Sequence, residues 1–186
     1  NFDNNKNDWH LQSDSLFLVD INNGVLNIEK FKKNRDAIKC LWYKKEISGL
    51  NTLKDFSITI FAKFLPGGDI VDMLDIQWGT WDRVISSNKT SIYQLNFLLK
   101  GEAKLDYFNN GKWNYSLREN VKEILDRNLY RPGEYNKYEI VQKDGFVVFK
   151  INNIQYFKQL SNAIAGNTIG FQGCLKSTLE IDKIIV

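Results

Sequence analysis

One histidine, one methionine, two cysteines and two prolines are all that 186 residues contain of those types, and each scarcity removes a class of function. His10 stands alone beside Trp9, with no cysteine or carboxylate pair near it, so a histidine-based triad or a zinc site lacks its parts. Cys40 and Cys174 fit no C-x-x-C or other metal or redox spacing. They read as two buried thiols. A disulfide joining an early strand to a late one is the alternative, and it would need their Cα atoms within about 7 Å. No G-x-S-x-G, P-loop or H-E-x-x-H motif occurs. No apolar run approaches the roughly 20 residues that cross a bilayer, and no signal peptide is visible. The sequence opens at Asn1 in the manner of a processed or trimmed chain. The missing signal therefore does not argue for the cytosol.

A field of one sign is lacking too. Lysine and arginine number 25 against 22 aspartates and glutamates, a net charge of +3 spread along the chain. That distribution favours neither nucleic acid nor an anionic membrane. The cluster Lys30, Lys32, Lys33 and Arg35 reads as a solvated turn. What the chain does have is apolar and aromatic matter: 43% hydrophobic residues, including 12 Phe, 8 Tyr and 5 Trp. This is enough to fill a large core between two sheets, and the length suits one domain, 1–186.

The patterning is of period two. Tyr93, Leu95, Phe97 and Leu99 alternate with Gln94, Asn96, Leu98 and Lys100, the signature of a strand with one buried face. Lys104 to Phe108 continues it, Asn109-Asn110-Gly111-Lys112 turns the chain, and Trp113 and Tyr115 open a third strand, giving an antiparallel meander. Before it lie a hairpin over Leu16–Ile28 turned at Asn22-Asn23-Gly24, a strand in Ala37–Ile47 that reads as buried on both faces, and strands over Asp55–Phe64 and Met73–Gly79. After it come a second meander, turned at Asp144-Gly145 and Asn152-Asn153, and strands at Thr168–Phe171 and Leu179–Val186. Only Ser116–Asn136 has helical spacing, in Val121, Ile124 and Leu125. About a dozen short strands with at most one short helix predict an all-β fold, a two-sheet antiparallel sandwich or jelly roll.

Several of these pieces, in order, resemble the concanavalin A-like lectin/glucanase jelly rolls, especially the bacterial laminin-G-like modules of uncharacterised function. They are Phe2-Asp3-Asn4-Asn5 with Trp9, Gly24-Val25-Leu26-Asn27-Ile28, Asp55-Phe56-Ser57-Ile58, Ile76-Gln77-Trp78-Gly79, Tyr93-Gln94-Leu95 and Asn109-x-Gly111-Lys112-Trp113. Asn136-x-Tyr138-x-Ile140, Phe149-x-Ile151-Asn152, Ile169-Gly170-Phe171 and Ile181-Asp182-x-Ile184-x-Val186 complete the set. Hydrolases of this fold carry E-x-D-x-E or E-x-D-x-x-E on one strand. The corresponding stretch here, Asp69 to Gln77, contains no glutamate and keeps only Asp75 at a suitable phase, beside Gln77. The resemblance also implies a structural calcium where the chain's two ends meet, with Asp3 and Asp182 as candidate ligands.

The face opposite the apolar set carries Asp75, Gln77, Gln94, Asn96, Asp106 and Phe108, with Trp81, Arg83 and Trp113 as rim contributors from loops. Amides and carboxylates interspersed with rings suit sugars, whose hydroxyls take paired hydrogen bonds while the C–H face packs on an aromatic plane. The plain alternative is a solvated sheet face. Trp78 shares phase with Leu74 and Ile76 and belongs to the core. The function that the resemblance and the missing glutamates imply is a non-catalytic, extracytoplasmic module, secreted, periplasmic or surface-attached with its signal peptide removed, that binds a glycan or a protein surface as a monomer. A carbohydrate-active enzyme with a displaced pair such as Asp75 and Asp106 is one alternative, and a protein-interaction domain without sugar affinity is the other.

Overall fold

The structure, a computed structural model, describes residues 2–15, 17–30, 41–66, 73–82, 89–98, 102–114, 130–131, 133–162, 164–173 and 177–186. Among these residues fourteen strands form two antiparallel sheets. One sheet runs β1 (Gln12–Ser13), β2 (Phe17–Asn22), β3 (Val25–Lys30), β14 (Ser177–Ile185), β5 (Phe56–Pro66), β10 (Tyr135–Lys143), β11 (Phe146–Ile151), β12 (Ile154–Leu160). The other runs β4 (Leu41–Glu46), β13 (Thr168–Gly173), β6 (Met73–Thr80), β7 (Ser91–Leu98), β8 (Glu102–Asn109), β9 (Lys112–Asn114). The all-β sandwich expected from the strand spacing is the architecture observed.

The hairpins close where the sequence supplies residues that tolerate a left-handed backbone. Asn23-Gly24, Asn110-Gly111, Asp144-Gly145 and Asn152-Asn153 all have positive φ at both positions. Two such residues make the turn whose twist matches that of the flanking strands. Inside, Ile58, Ile60, Ala62 and Phe64 of β5 and Tyr138 and Ile140 of β10 form one wall of a single core. Ile76, Trp78, Tyr93, Leu95, Leu105, Tyr107, Ile169 and Phe171 form the other. Trp78 is fully buried there and stacks on Tyr93 at 5.4 Å, as its phase requires.

β4 differs from expectation. Tyr43 is buried but Trp42 is 37% exposed, so this strand buries one face only. The reason is position: β4 is the edge of its sheet, next to β13 alone. Of the other sequence-based expectations, the helix after Ser116 falls for the most part on 115–129, outside the described residues. Ala37–Cys40, Cys174 and Arg83 also lie outside them, as do Lys32, Lys33 and Arg35.

One end of the sandwich is fastened by a close crossing of backbones. A Cβ on Gly166 would stand 2.0 Å from the carbonyl carbon of Gly79, so only glycine fits, and Gly79 itself has φ +134°. Thr52 donates its backbone N–H to the Gly166 carbonyl at 2.9 Å, and the Thr80 hydroxyl donates to that of Ala165. These contacts fix the end of β6, from which Trp81 departs.

Candidate functional site

The pairing register sets three rows of side chains on the face of the six-stranded sheet that points away from the core. Across β4, β13, β6, β7 and β8 the first row reads Trp42, Gln172, Asp75, Asn96, Lys104. The second reads Lys44, Gly170, Gln77, Gln94, Asp106. The third reads Glu46, Thr168, Gly79, Ile92, Phe108, and continues to Trp113 on β9. Period two produces this face: each of these positions alternates with a core residue such as Tyr43, Phe171, Ile76, Tyr93 or Leu105. The sequence-predicted residues Asp75, Gln77, Gln94, Asn96, Asp106 and Phe108 are thus brought together on one face.

The polar members bond to one another. Gln77 donates from Nε2 to Oε1 of Gln94 at 2.7 Å and of Gln172 at 3.3 Å. Gln94 donates from Nε2 to Oδ1 of Asn96 at 2.6 Å and to Oδ2 of Asp75 at 3.3 Å. Asn96 donates from Nδ2 to Oδ2 of Asp106 at 3.0 Å. Gly170 allows this packing, because the Gln77 amide oxygen lies 3.0 Å from where a Cβ would stand. Asp75, Gln77, Gln94, Asn96, Asp106 and Gln172 are only 0 to 7% exposed. The phase expected from the sequence holds, but the face is not the water-facing surface expected. Amides and carboxyls here satisfy each other in place of solvent.

Asp75 is the least satisfied member. Its Oδ1 is buried and has no hydrogen-bond partner among the described residues. Burial first, and the charge of Asp106 second, hold its carboxyl well above the usual carboxylate range. That environment favours a protonated acid among neutral amides.

Aromatic side chains stand at both sides of the network. Phe108 meets Trp113 edge to face at 5.0 Å, and Phe108 is 3% exposed. The expectation that Phe108 offers an open ring for stacking is corrected by that burial: Trp113 and the sheet cover it. At the β4 edge Trp81 meets Trp42 edge to face at 5.2 Å, and Lys44 Nζ lies 5.4 Å from the Trp81 ring and 3.4 Å from the Asp82 carbonyl oxygen. Trp81 thus lies beside the β4 edge of the face. Gln172, Trp42 and Lys44 went unnoticed in the sequence. Extending the alternation of Thr168–Phe171 by one residue would have found Gln172. The Trp42-x-Lys44 pair was hidden by reading its strand as buried on both faces.

Asp3 and Asp182 lie away from this face. Asp3 Oδ1 packs on Gly24 at the β2–β3 turn, whereas the Asp182 carboxylate lies within electrostatic reach of Tyr135 on β10, whose hydroxyl is pushed up by burial first, then by Glu180 and by Asp182. Among the described residues no group of three or more His, Cys, Asp and Glu side chains is placed to hold a metal. Calcium there would take most of its six to eight oxygens from main-chain carbonyls and water.

No family model matches the sequence, and no curated protein matches it. Solved structures do. The Bacillus licheniformis beta-glucanase superposes with a TM-score of 0.60 at 9% identity, over 94% of this chain and 87% of that one. A single-substitution variant of human galectin-16 gives 0.57 at 15% identity, over 77% and 92%. Sheep galectin-11, solved with glycerol, gives 0.53 at 11% identity, over 77% and 96%. At such identities the likeness establishes the fold, a concanavalin A-like lectin/glucanase jelly roll.

Proposed function

We propose that this chain is a non-catalytic, extracytoplasmic carbohydrate-binding module, working as a monomer, with its site on the outer face of the six-stranded sheet. One observation carries the reading: Trp42, 37% exposed, stands with Trp81 and Lys44 at the edge of a sheet face whose amides and carboxyls are buried and bonded to one another. An exposed ring that takes a sugar's C–H face, beside a polar group that fixes its orientation, is what a glycan site requires. The likeness to galectins and a glucanase supports the same reading at the level of fold. The buried amide network holds the face rigid, and the rim aromatics make the contact. Binding to a panel of immobilised polysaccharides, with no release of reducing ends, tests it. Silence across the panel together with co-purification of a protein would favour an interaction domain without sugar affinity.

A second reading has one feature in its favour: burial first, and the Asp106 charge second, hold the Asp75 carboxyl well above the usual carboxylate range. A carboxylic acid that keeps its proton near a second carboxyl is part of the equipment of a glycoside hydrolase. The two residues stand two strands apart and in adjacent rows, about 12 Å between backbones, so the strand geometry alone sets no retaining pair at the roughly 5 to 5.5 Å between carboxyl groups. Polysaccharide hydrolysis by the wild type, lost in Asp75→Asn, would replace the binding-only reading. A calcium ion beside Asp3 and Asp182 is a separate proposal: added calcium would raise the melting temperature of the wild type, and Asp182→Asn would remove the rise.

A further inference from the structure

The β4 edge presents two groups that the buried network does not use. Trp42 is the exposed ring of the face, at 37%. Lys44, two residues on and in the neighbouring row, is exposed and touches the Asp82 carbonyl and the Trp81 ring. No carboxylate pairs with it among the described residues. The indole Nε1–H of Trp81 is buried and has no acceptor among the described residues, so it is turned away from the surface that Trp42 and Lys44 share. A stacking plane and a cation therefore meet around one ring, 5.2 Å for Trp42–Trp81 and 5.4 Å for Lys44–Trp81. The cation has no anionic acceptor among the described residues. The acidic members of the face, Asp75 and Asp106, stand two and four strands away from β4, and Glu46 is in the third row, beyond Lys44.

We propose that the residue bound at this edge is a carboxylate-bearing sugar, a uronic acid unit of a polysaccharide, stacked on Trp42 with its carboxylate on the Lys44 ammonium. The proposal rests on the glycan-binding reading above and specifies its ligand class. A pyranose carboxylate supplies both halves of the match: an apolar C–H face for the indole and a charged acceptor for a lysine that desolvates without losing an existing ion pair. A neutral sugar would use the ring and leave the ammonium unmatched.

The test is affinity electrophoresis of the full chain in polygalacturonate, alginate and glucuronoxylan, each paired with its carboxyl-reduced form, and in a neutral β-glucan and dextran sulfate. The expected result is retardation by at least one acidic polymer, weaker by about tenfold in its carboxyl-reduced partner, the size of one charge-assisted contact. Lys44→Gln should bring the acidic polymer down to the level of the reduced one without affecting the latter. Trp42→Ala should weaken both, with Trp42→Phe restoring part of the loss, and Lys44→Gln should leave the melt unchanged. Equal binding of acidic and reduced forms, an unchanged preference in Lys44→Gln, or binding that tracks sulfate would overturn the carboxylate assignment and leave glycan binding standing. Silence on every polymer, neutral and acidic, would remove the glycan reading with it.

Discussion

Gln94 and Asp75 meet across the β6–β7 boundary, with Gln94 Nε2 3.3 Å from Asp75 Oδ2, while the other oxygen of Asp75 has no partner among the described residues. The pH dependence follows. The folded pKa lies well above the ordinary aspartate value of 3.8. Below that ordinary value both states are protonated and the burial of Asp75 is not opposed. As pH rises, the unfolded chain ionises while the folded one keeps the proton, so stability falls until the folded pKa is passed. Asp75→Asn should remove this loss. Thermal melts should show the variant more stable than the wild type at about pH 8, by about 1 to 3 kcal/mol, with the gap closing near about pH 4. A gap that widens toward acid would mean that Asp75 is ionised in the fold.

Asn96 links the two halves of the network, receiving from Gln94 and donating to Asp106. Asn96→Leu keeps the side chain's approximate size and removes both bonds, leaving Asp106 buried without that donor. Urea unfolding should show a loss of about 1 to 3 kcal/mol. A neutral outcome would mean that water already reaches the face.

Phe108 and Trp113 are in contact but differ in exposure, so their truncations should differ in kind. Phe108→Ala should cost about 3 to 5 kcal/mol, as for other buried rings. Trp113→Ala should cost less, because a partly exposed ring gives up less buried area. Equal losses by urea titration would place Trp113 in the interior as well.

At the crossing of Gly79 and Gly166, Gly166→Ala puts a methyl group 2.0 Å from a backbone carbon that has no side chain to rotate away. The chain must shift, at a cost of about 1 to 3 kcal/mol. Since Trp81 leaves β6 directly after this point, the variant should also change tryptophan fluorescence and reduce any glycan binding. Unchanged fluorescence with lowered stability would separate the clamp from the rim.

A single cooperative transition is expected on heating, because one core joins both sheets. Two transitions would divide the domain proposed over 1–186.

The fold was legible because its signals are local. Asn-Gly, Asp-Gly and Asn-Asn pairs mark the turns, and alternation as in Phe56 to Phe64 marks which way each strand faces. The same alternation placed Asp75, Gln77, Gln94, Asn96 and Asp106 together. Their burial was not legible, since whether a polar row faces water depends on what else packs on it and on whether its members bond to one another. Nor was the role of Trp42. Its exposure comes from β4 lying at a sheet edge, and that edge is set by β13, a strand more than a hundred residues away in sequence.

The strand order has a consequence for how the protein is made. β13 sits between β4 and β6, and β14 between β3 and β5, so both of the last two strands occupy interior places in their sheets. During synthesis each sheet remains split, with open edges on both sides of the missing strand, until residues 168–185 have left the ribosome. Closure is therefore a late, long-range event, and slow folding with a need for protection of the nascent chain is built into the topology.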